Sequence, residues 1–230
     1  MVWDGEDGAL LVDAGGDTYQ RLLKAGIDPQ KLAGIILTHS HADHINGLPA
    51  LLFSMSLAGR RAVLPIYGLP ETLELSQQLV AACALEEHVA TVDWRVLPAG
   101  EALRLADGRV VQTALNNHSR PCLALRFTEP TGGQAITYSG DTAPCEAVIE
   151  LARGAHTLIH EATVDVPGGG HTTPRQAAEV AVQAGVQRLV LVHYSPRWTL
   201  PENLALQEVQ AGGFTGKAEI GREYQILEPA

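Results

Sequence analysis

Positive charge is scarce in this chain: Lys and Arg total 16 against 26 Asp and Glu, a formal charge of −10. No broad cationic footprint for nucleic acid is present, although a local patch would be hidden in that total. Cysteine is nearly absent as well. Cys83, Cys122 and Cys145 are scattered, odd in number and form no CxxC pair. That argues against a disulfide framework or a separate cysteine–zinc site and favours a reducing compartment. The opening residues Met1-Val2-Trp3-Asp4-Gly5-Glu6-Asp7 are acidic and short of apolar side chains, unlike a signal peptide. No run approaches the ~18 apolar residues of a membrane span. Repeats, low-complexity tracts and linkers are also lacking. A cytoplasmic protein without a membrane partner is expected, as a single domain over 1–230.

What the chain does have is concentrated in Thr38-His39-Ser40-His41-Ala42-Asp43-His44-Ile45-Asn46-Gly47-Leu48-Pro49. Four metal-ligand side chains, His39, His41, Asp43 and His44, fall within six positions. Leu10-Leu11-Val12 ending in Asp13, and Gly34-Ile35-Ile36-Leu37, read as buried strands, so the cluster opens just past a strand end. An extended segment puts His39 and His41 on one side. A tight turn into the following helix brings Asp43 and His44 round to a second point. Imidazole with carboxylate suits zinc and its first-row neighbours, and two such half-sets suit a pair of metals.

The apolar pattern predicts strands over 9–13, 33–37 and 62–67. It predicts helices over 17–25, with Asp17 as N-cap, over 45–57, with Pro49 in its first turns, and from Pro70 onward. The last of these has an apolar face of Leu73, Leu75, Leu79 and Val80. Strands and turns dominate 91–138, where Asp107-Gly108 marks a hairpin and Thr131-Gly132-Gly133 separates two further strands. After Asp141 come a helix over 144–153, a strand over 156–160, a helix over 174–184 and a strand over 188–192. A helix near 201–210 and one or two short strands complete the tail. An α/β half, a β-rich middle and a second α/β half give an α/β class from periodicity alone.

Three further residues fall at expected strand edges: His118 in Asn117-His118-Ser119-Arg120-Pro121-Cys122, Asp141 in Tyr138-Ser139-Gly140-Asp141-Thr142, and His193 in Val190-Leu191-Val192-His193-Tyr194-Ser195-Pro196. Strand ends are where α/β folds keep their chemistry. Taken singly, His118 reads as a surface histidine and Asp141 as a turn or cap residue. Beside the first cluster, each reads as a further ligand.

His-x-His-x-Asp-His after an apolar strand resembles the signature of the metallo-β-lactamase superfamily. Added to it are His118 before Pro-Cys-Leu-Ala-Leu-Arg, Ser-Gly-Asp-Thr at Asp141, His160-Glu161-Ala162-Thr163, Gly170-His171-Thr172-Thr173-Pro174 and Val-His-Tyr-Ser-Pro-Arg at His193. Over about residues 13–197 this set resembles the ribonuclease Z-like branch. The resemblance implies an α/β fold, the four-layer αββα metallo-β-lactamase sandwich, and a metal-dependent hydrolase, a phosphodiesterase, with two divalent ions. Zinc is expected, with manganese as the alternative. It implies His39, His41 and His118 on one ion, Asp43, His44 and His193 on the other, and Asp141 bridging. Asp43 is the candidate base. His171 would contact the phosphate and help the leaving group depart, its ring held by Glu161; the plainer alternative is a capping Glu161 and a mobile loop histidine. His88, His156 and His160 are read as structural.

Two departures from that branch bear on the substrate. Ribonuclease Z carries a long glycine- and proline-containing arm, which grips tRNA, between the equivalents of His118 and Asp141; here a short strand pair stands in that place. The family's opening strand and Gly-Thr-Gly-like turn are also missing ahead of Leu-Val-Asp. Small or cyclic phosphodiesters are therefore the favoured substrates, with tRNA 3′-end processing, and so RNA as partner, as the alternative. A mono-iron thiol dioxygenase and an inactive binding module are the remaining alternatives, and a homodimer is compatible with any of them.

Overall fold

The computed structural model describes residues 1–83, 90–130, 132–195 and 198–227. His88, Thr131, Pro196 and Arg197 lie outside the described residues. The chain divides into two compact units, Met1–Pro98 and Ala99–Ala230. No helix among the described residues is long and apolar enough to cross a membrane.

The first unit holds β1 (Val2–Trp3), β2 (Ala9–Val12), α1 (Thr18–Lys24), β3 (Leu32–Leu37), α2 (Ala42–Ile45), α3 (Leu48–Leu57), β4 (Leu64–Gly68), α4 (Pro70–Ala82) and β5 (Val92–Val96). Its sheet runs β1-β2-β3-β4-β5, parallel from β2 onward, with β1 antiparallel at the edge. Two residues are too few to show a period, which is why β1 left no trace in the apolar pattern. Leu48, Leu51, Leu52 and Met55 of α3 are fully buried and share one helix face. They join Leu22, Ile35, Leu37, Ile66 and Leu73 in one apolar cluster. Each such buried side chain stabilises by roughly 1.5–3 kcal/mol.

Three expectations need correction in this unit. The helix expected over 45–57 is two helices, parted at Asn46-Gly47. The cause is close backbone contact: Gly47 N–H donates to Ala14 O at 2.8 Å, and a Cβ on Gly47 would sit 2.2 Å from Gly16 O. Leu75 is 40% exposed and lies off the buried face of α4. Asp17 occupies the N-cap position without capping; its carboxylate takes Arg21 Nε at 2.6 Å instead.

The second unit holds β6 (Ala102–Arg104), β7 (Val110–Leu115), β8 (Leu123–Thr128), β9 (Ile136–Tyr138), α5 (Glu146–Ala152), β10 (Thr157–Glu161), α6 (Pro174–Ala184), β11 (Arg188–Val192), α7 (Glu202–Ala211) and β12 (Lys217–Ile220). The sheet order is β12-β11-β10-β9-β8-β7-β6. β6 to β9 form an antiparallel meander, whereas β9 to β12 run parallel. Val148 and Ile149 of α5, Ala177, Ala178 and Ala181 of α6, and Leu158, Leu189 and Leu191 from the strands form its core. Alanines along α6 let it lie close to its neighbours. Its start is fixed by a full capping box, Thr173 Oγ1 accepting from Gln176 N–H and Gln176 Oε1 from Thr173 N–H.

Candidate metal centre

In the first unit the ligand-type side chains follow the C-terminal ends of β2 and β3. Asp13, directly after β2, has a left-handed backbone (φ 62°), a conformation that non-glycine residues adopt mostly at constrained sites. Its carboxylate accepts from Thr38 N–H at 2.8 Å and from the Thr38 hydroxyl at 3.0 Å, and from His44 Nδ1–H at 2.8 Å. Burial pushes this carboxyl up, but the His44 hydrogen bond and charge and the Thr38 N–H outweigh it, holding the acid below its ordinary range. Because Thr38 spends its hydroxyl proton on Asp13, its oxygen accepts from His39 Nδ1–H at 3.1 Å. One carboxylate thus sets the tautomer of two rings, turning the Nε2 lone pairs of His39 and His44 inward.

His39 is fully buried, and its Nε2 lies 3.1 Å from His41 Nδ1. The rings of His39 and His44 sit 4.0 Å apart, and His44 Nε2 is 3.6 Å from Asp43 Oδ2. The tight turn that places Asp43 and His44 is sealed from below by Gly15, where a Cβ would lie 1.6 Å from Asp43 O.

In the second unit the corresponding groups line the C-terminal ends of β9, β10 and β11. Asp141 follows β9 and is buried, Glu161 closes β10 and is fully buried, and His193 follows β11. His193 repeats the left-handed φ of 62° seen at Asp13. Its Nδ1 meets Thr163 Oγ1 at 2.8 Å, and its Nε2 lies 3.4 Å from Asp141 Oδ2. The next residue, Tyr194, ties its hydroxyl to Leu191 O at 2.6 Å and Gly221 O at 2.7 Å; burial there pushes the phenol up to about 12. His118 Nδ1–H donates to Gly170 O at 3.3 Å. Glu161 accepts from Thr142 N–H, Thr163 N–H and Thr172 N–H at 2.7, 3.0 and 3.2 Å, and from His171 Nδ1–H at 2.8 Å. Four donors offset the burial of its charge. Asp141, His171 and His193 offer ligand atoms within 4.8 Å of one another.

These donors fit divalent metal. Two atoms bound to one tetrahedral zinc at 2.0–2.1 Å lie about 3.3 Å apart. The His39–His41, His44–Asp43 and His193–Asp141 pairs are at 3.1, 3.6 and 3.4 Å. The far nitrogens of His39, His44, His118 and His193 are each held by an oxygen, the orientation that metal-binding imidazoles require.

Asp13, Thr38, Thr163 and the Gly170 carbonyl are absent from the sequence-derived set. No ligand spacing marks such residues; the one signal was Asp13 at the end of an apolar strand. His160 is buried, its Nδ1–H donating to Glu161 O at 2.8 Å. His156 Nδ1 lies 2.9 Å from Thr157 Oγ1.

Residues 9–194 match the model of the beta-lactamase superfamily domain. Ribonuclease Z of Methanothermobacter thermautotrophicus is 34% identical, over 84% of this chain and 79% of its own. Ribonuclease BN of Cronobacter sakazakii is 31% identical, over 90% and 86%. The crystal structure of the metallo-beta-lactamase fold protein YhfI from Bacillus subtilis, 25% identical, superposes with a TM-score of 0.83 over 96% of this chain and 88% of that one. The two sheets with their helices match that fold, and the relatives are consistent with a metal-dependent hydrolase. With the family match spanning most of its length, the chain belongs to the beta-lactamase superfamily.

Proposed function

We propose that the two units are halves of one domain over 1–230 and that their donor groups act together as a dinuclear, metal-dependent phosphodiesterase for small or cyclic phosphodiesters. His39, His41 and His118 would hold one ion, Asp43, His44 and His193 the other, and Asp141 both; zinc suits this nitrogen-rich set, with manganese as the alternative. The observation that carries the reading is the spacing of the donor pairs, at 3.1, 3.6 and 3.4 Å, on rings whose far nitrogens are held. Relatives named ribonucleases support the bond type, since RNA is joined by phosphodiesters.

Two divalent ions bound there would supply hydroxide near neutral pH and offset the charge of the phosphoryl group. Asp43, with its side chain 66% exposed at the turn, accepts the proton of the attacking water. His171 donates from Nε2 to the leaving oxygen, while Glu161 holds its Nδ1 at 2.8 Å and stabilises the imidazolium.

Substrate size rests on what separates His118 from Asp141. Only residues 119–140 do so, and they are spent on β8, β9 and the turn where Gly132 N–H donates to Glu129 O at 3.1 Å. The alignment with the Methanothermobacter protein runs over 249 positions yet takes in 84% of this 230-residue chain, about 193 residues, so about 56 positions of that relative have no counterpart here. With a net charge of −10, contacts beyond the scissile phosphate and its two neighbours should be few and salt dependence weak. Processing of tRNA 3′ ends is the second reading, favoured by the 34% identity to a protein named Ribonuclease Z. Metal-analysed protein should turn over cyclic or aryl diesters with similar rates at low and physiological salt, and cut pre-tRNA slowly. Efficient, site-specific removal of the 3′ trailer would replace the first reading with the second.

A further inference from the structure

His171 is built like a metal ligand, although the mechanism above gives it work only on the substrate. A carboxylate on the far nitrogen is a common device for orienting a metal-binding imidazole. Glu161 supplies one to His171 at 2.8 Å, as Asp13 does to His44 at 2.8 Å. With the proton fixed on Nδ1, Nε2 is left as an electron-pair donor. Asp141, His171 and His193 offer ligand atoms within 4.8 Å of one another, the Asp141–His193 pair already at 3.4 Å. Since ligands of one ion lie about 3.3 Å apart, His171 has to close by at most about 1.5 Å. The backbone ahead of it permits that movement. Gly168, Gly169 and Gly170 have φ of 147°, 68° and 76°, and the first two have nothing within 4 Å of a would-be Cβ. The His171 ring is 22% exposed and nearly parallel to that of His193, at 6.1 Å.

We propose that His171 is an exchangeable ligand: at rest it completes a divalent-metal set with Asp141 and His193, and an incoming phosphate oxygen takes its place. This rests on the reading that Asp141 and His193 hold an ion. In the exchange, the coordination bond from His171 Nε2 breaks and one from the phosphate oxygen forms; no electron is transferred. The released ring takes a proton from solvent on Nε2, which it needs in order to donate to the leaving oxygen, and faces the phosphate that displaced it.

The test is the visible spectrum of the full chain loaded with Co²⁺, which reports the number and kind of ligands. Wild type and His171→Ala should bind the same number of ions, with bands that differ in position and intensity. The more weakly held ion should leave the variant at least about tenfold more readily. Saturating inorganic phosphate should bring the two spectra together. Superimposable spectra before phosphate is added, or a wild-type spectrum that phosphate leaves unchanged, would overturn the exchange while sparing the two-metal reading. Wild-type protein that binds no Co²⁺ would overturn both. Because His171 sits in a partly exposed loop, the variant should fold; His171→Asn, which keeps a polar group near Glu161, provides a second variant for the same comparison.

Discussion

The first unit takes its ligand-type side chains from positions 39, 41, 43 and 44, whereas the second draws His118, Asp141, His171 and His193 from four separate segments. Each set is nevertheless organised by one carboxylate at the end of a parallel strand, Asp13 partly buried and Glu161 fully so. Asp13 gathers Thr38 and His44, and Glu161 gathers Thr142, Thr163, Thr172 and His171. In the first unit, ligand geometry follows from a short stretch of backbone: an extended pair, then a turn. In the second, strand register, Ile159 opposite Tyr138 and Glu161 opposite Val192, aligns Asp141 and His193, while His118 and His171 come from loops and are held by Gly170 O and Glu161. The two sets can therefore be told apart by how far the loss of one side chain spreads.

Removing one side chain from each unit gives the largest expected contrast. Asp141→Ala should lose most of both ions and retain less than about 1% of turnover, since ligand loss exceeds the 10–100-fold cost of losing a supporting contact. His41→Ala should lose one ion. Metal content by mass spectrometry, with circular dichroism to confirm folding, makes the comparison. An Asp141→Ala protein with both ions at wild-type occupancy would remove that residue from the centre.

An intermediate effect is expected one step out, at the anchors. Asp13→Asn keeps the left-handed backbone accessible, since Asn adopts it readily, but weakens the hold on two rings at once. Thr163→Val removes the partner of His193 alone. Chelator competition should show both ions weakened towards 100-fold in the first variant, and one ion weakened about tenfold in the second. Equal losses would mean that Asp13 does not govern His39 through Thr38.

The same contrast explains what could be read from the sequence. The cluster at 39–44 was legible because its chemistry is local, and α6 and β11 matched residue for residue because Pro174 opens the helix, Gly185 ends it and Leu189–Val192 is one apolar run. His118, Asp141 and His193 became legible only once the first cluster was in hand, since strand register carries no short-range signature. Asp13, Thr38 and Thr163 stayed hidden: they act through a hydrogen bond to another residue's far nitrogen, and their side-chain types are common everywhere. The break at Asn46-Gly47 was missed for a related reason. It depends on the loop at 14–16 pressing against it, a contact that no pattern within 45–57 records.

The smallest expected effect has no counterpart in the first unit. His160 is fully buried in β10; its Nδ1–H donates to Glu161 O, and its Nε2 has no hydrogen-bond partner. Burial pushes its pKa down, outweighing the Glu161 carbonyl and carboxylate, which act the other way. The folded chain therefore keeps this ring neutral at pH values where the unfolded chain, with an ordinary histidine near 6.5, takes up a proton. Below about pH 6.5 the unfolded state binds more protons at this site, so stability falls as pH falls, by at most about 1.4 kcal/mol per pH unit for one group. His160→Gln keeps a donor for Glu161 O and cannot titrate, and the ligand histidines are common to both proteins. Urea unfolding at pH 7.5, 6.5 and 5.5 should show the wild type losing stability relative to His160→Gln only in the lower half of that range. Parallel profiles would mean that the folded protein accommodates the charged ring, and that the empty side of Nε2 is reached by water.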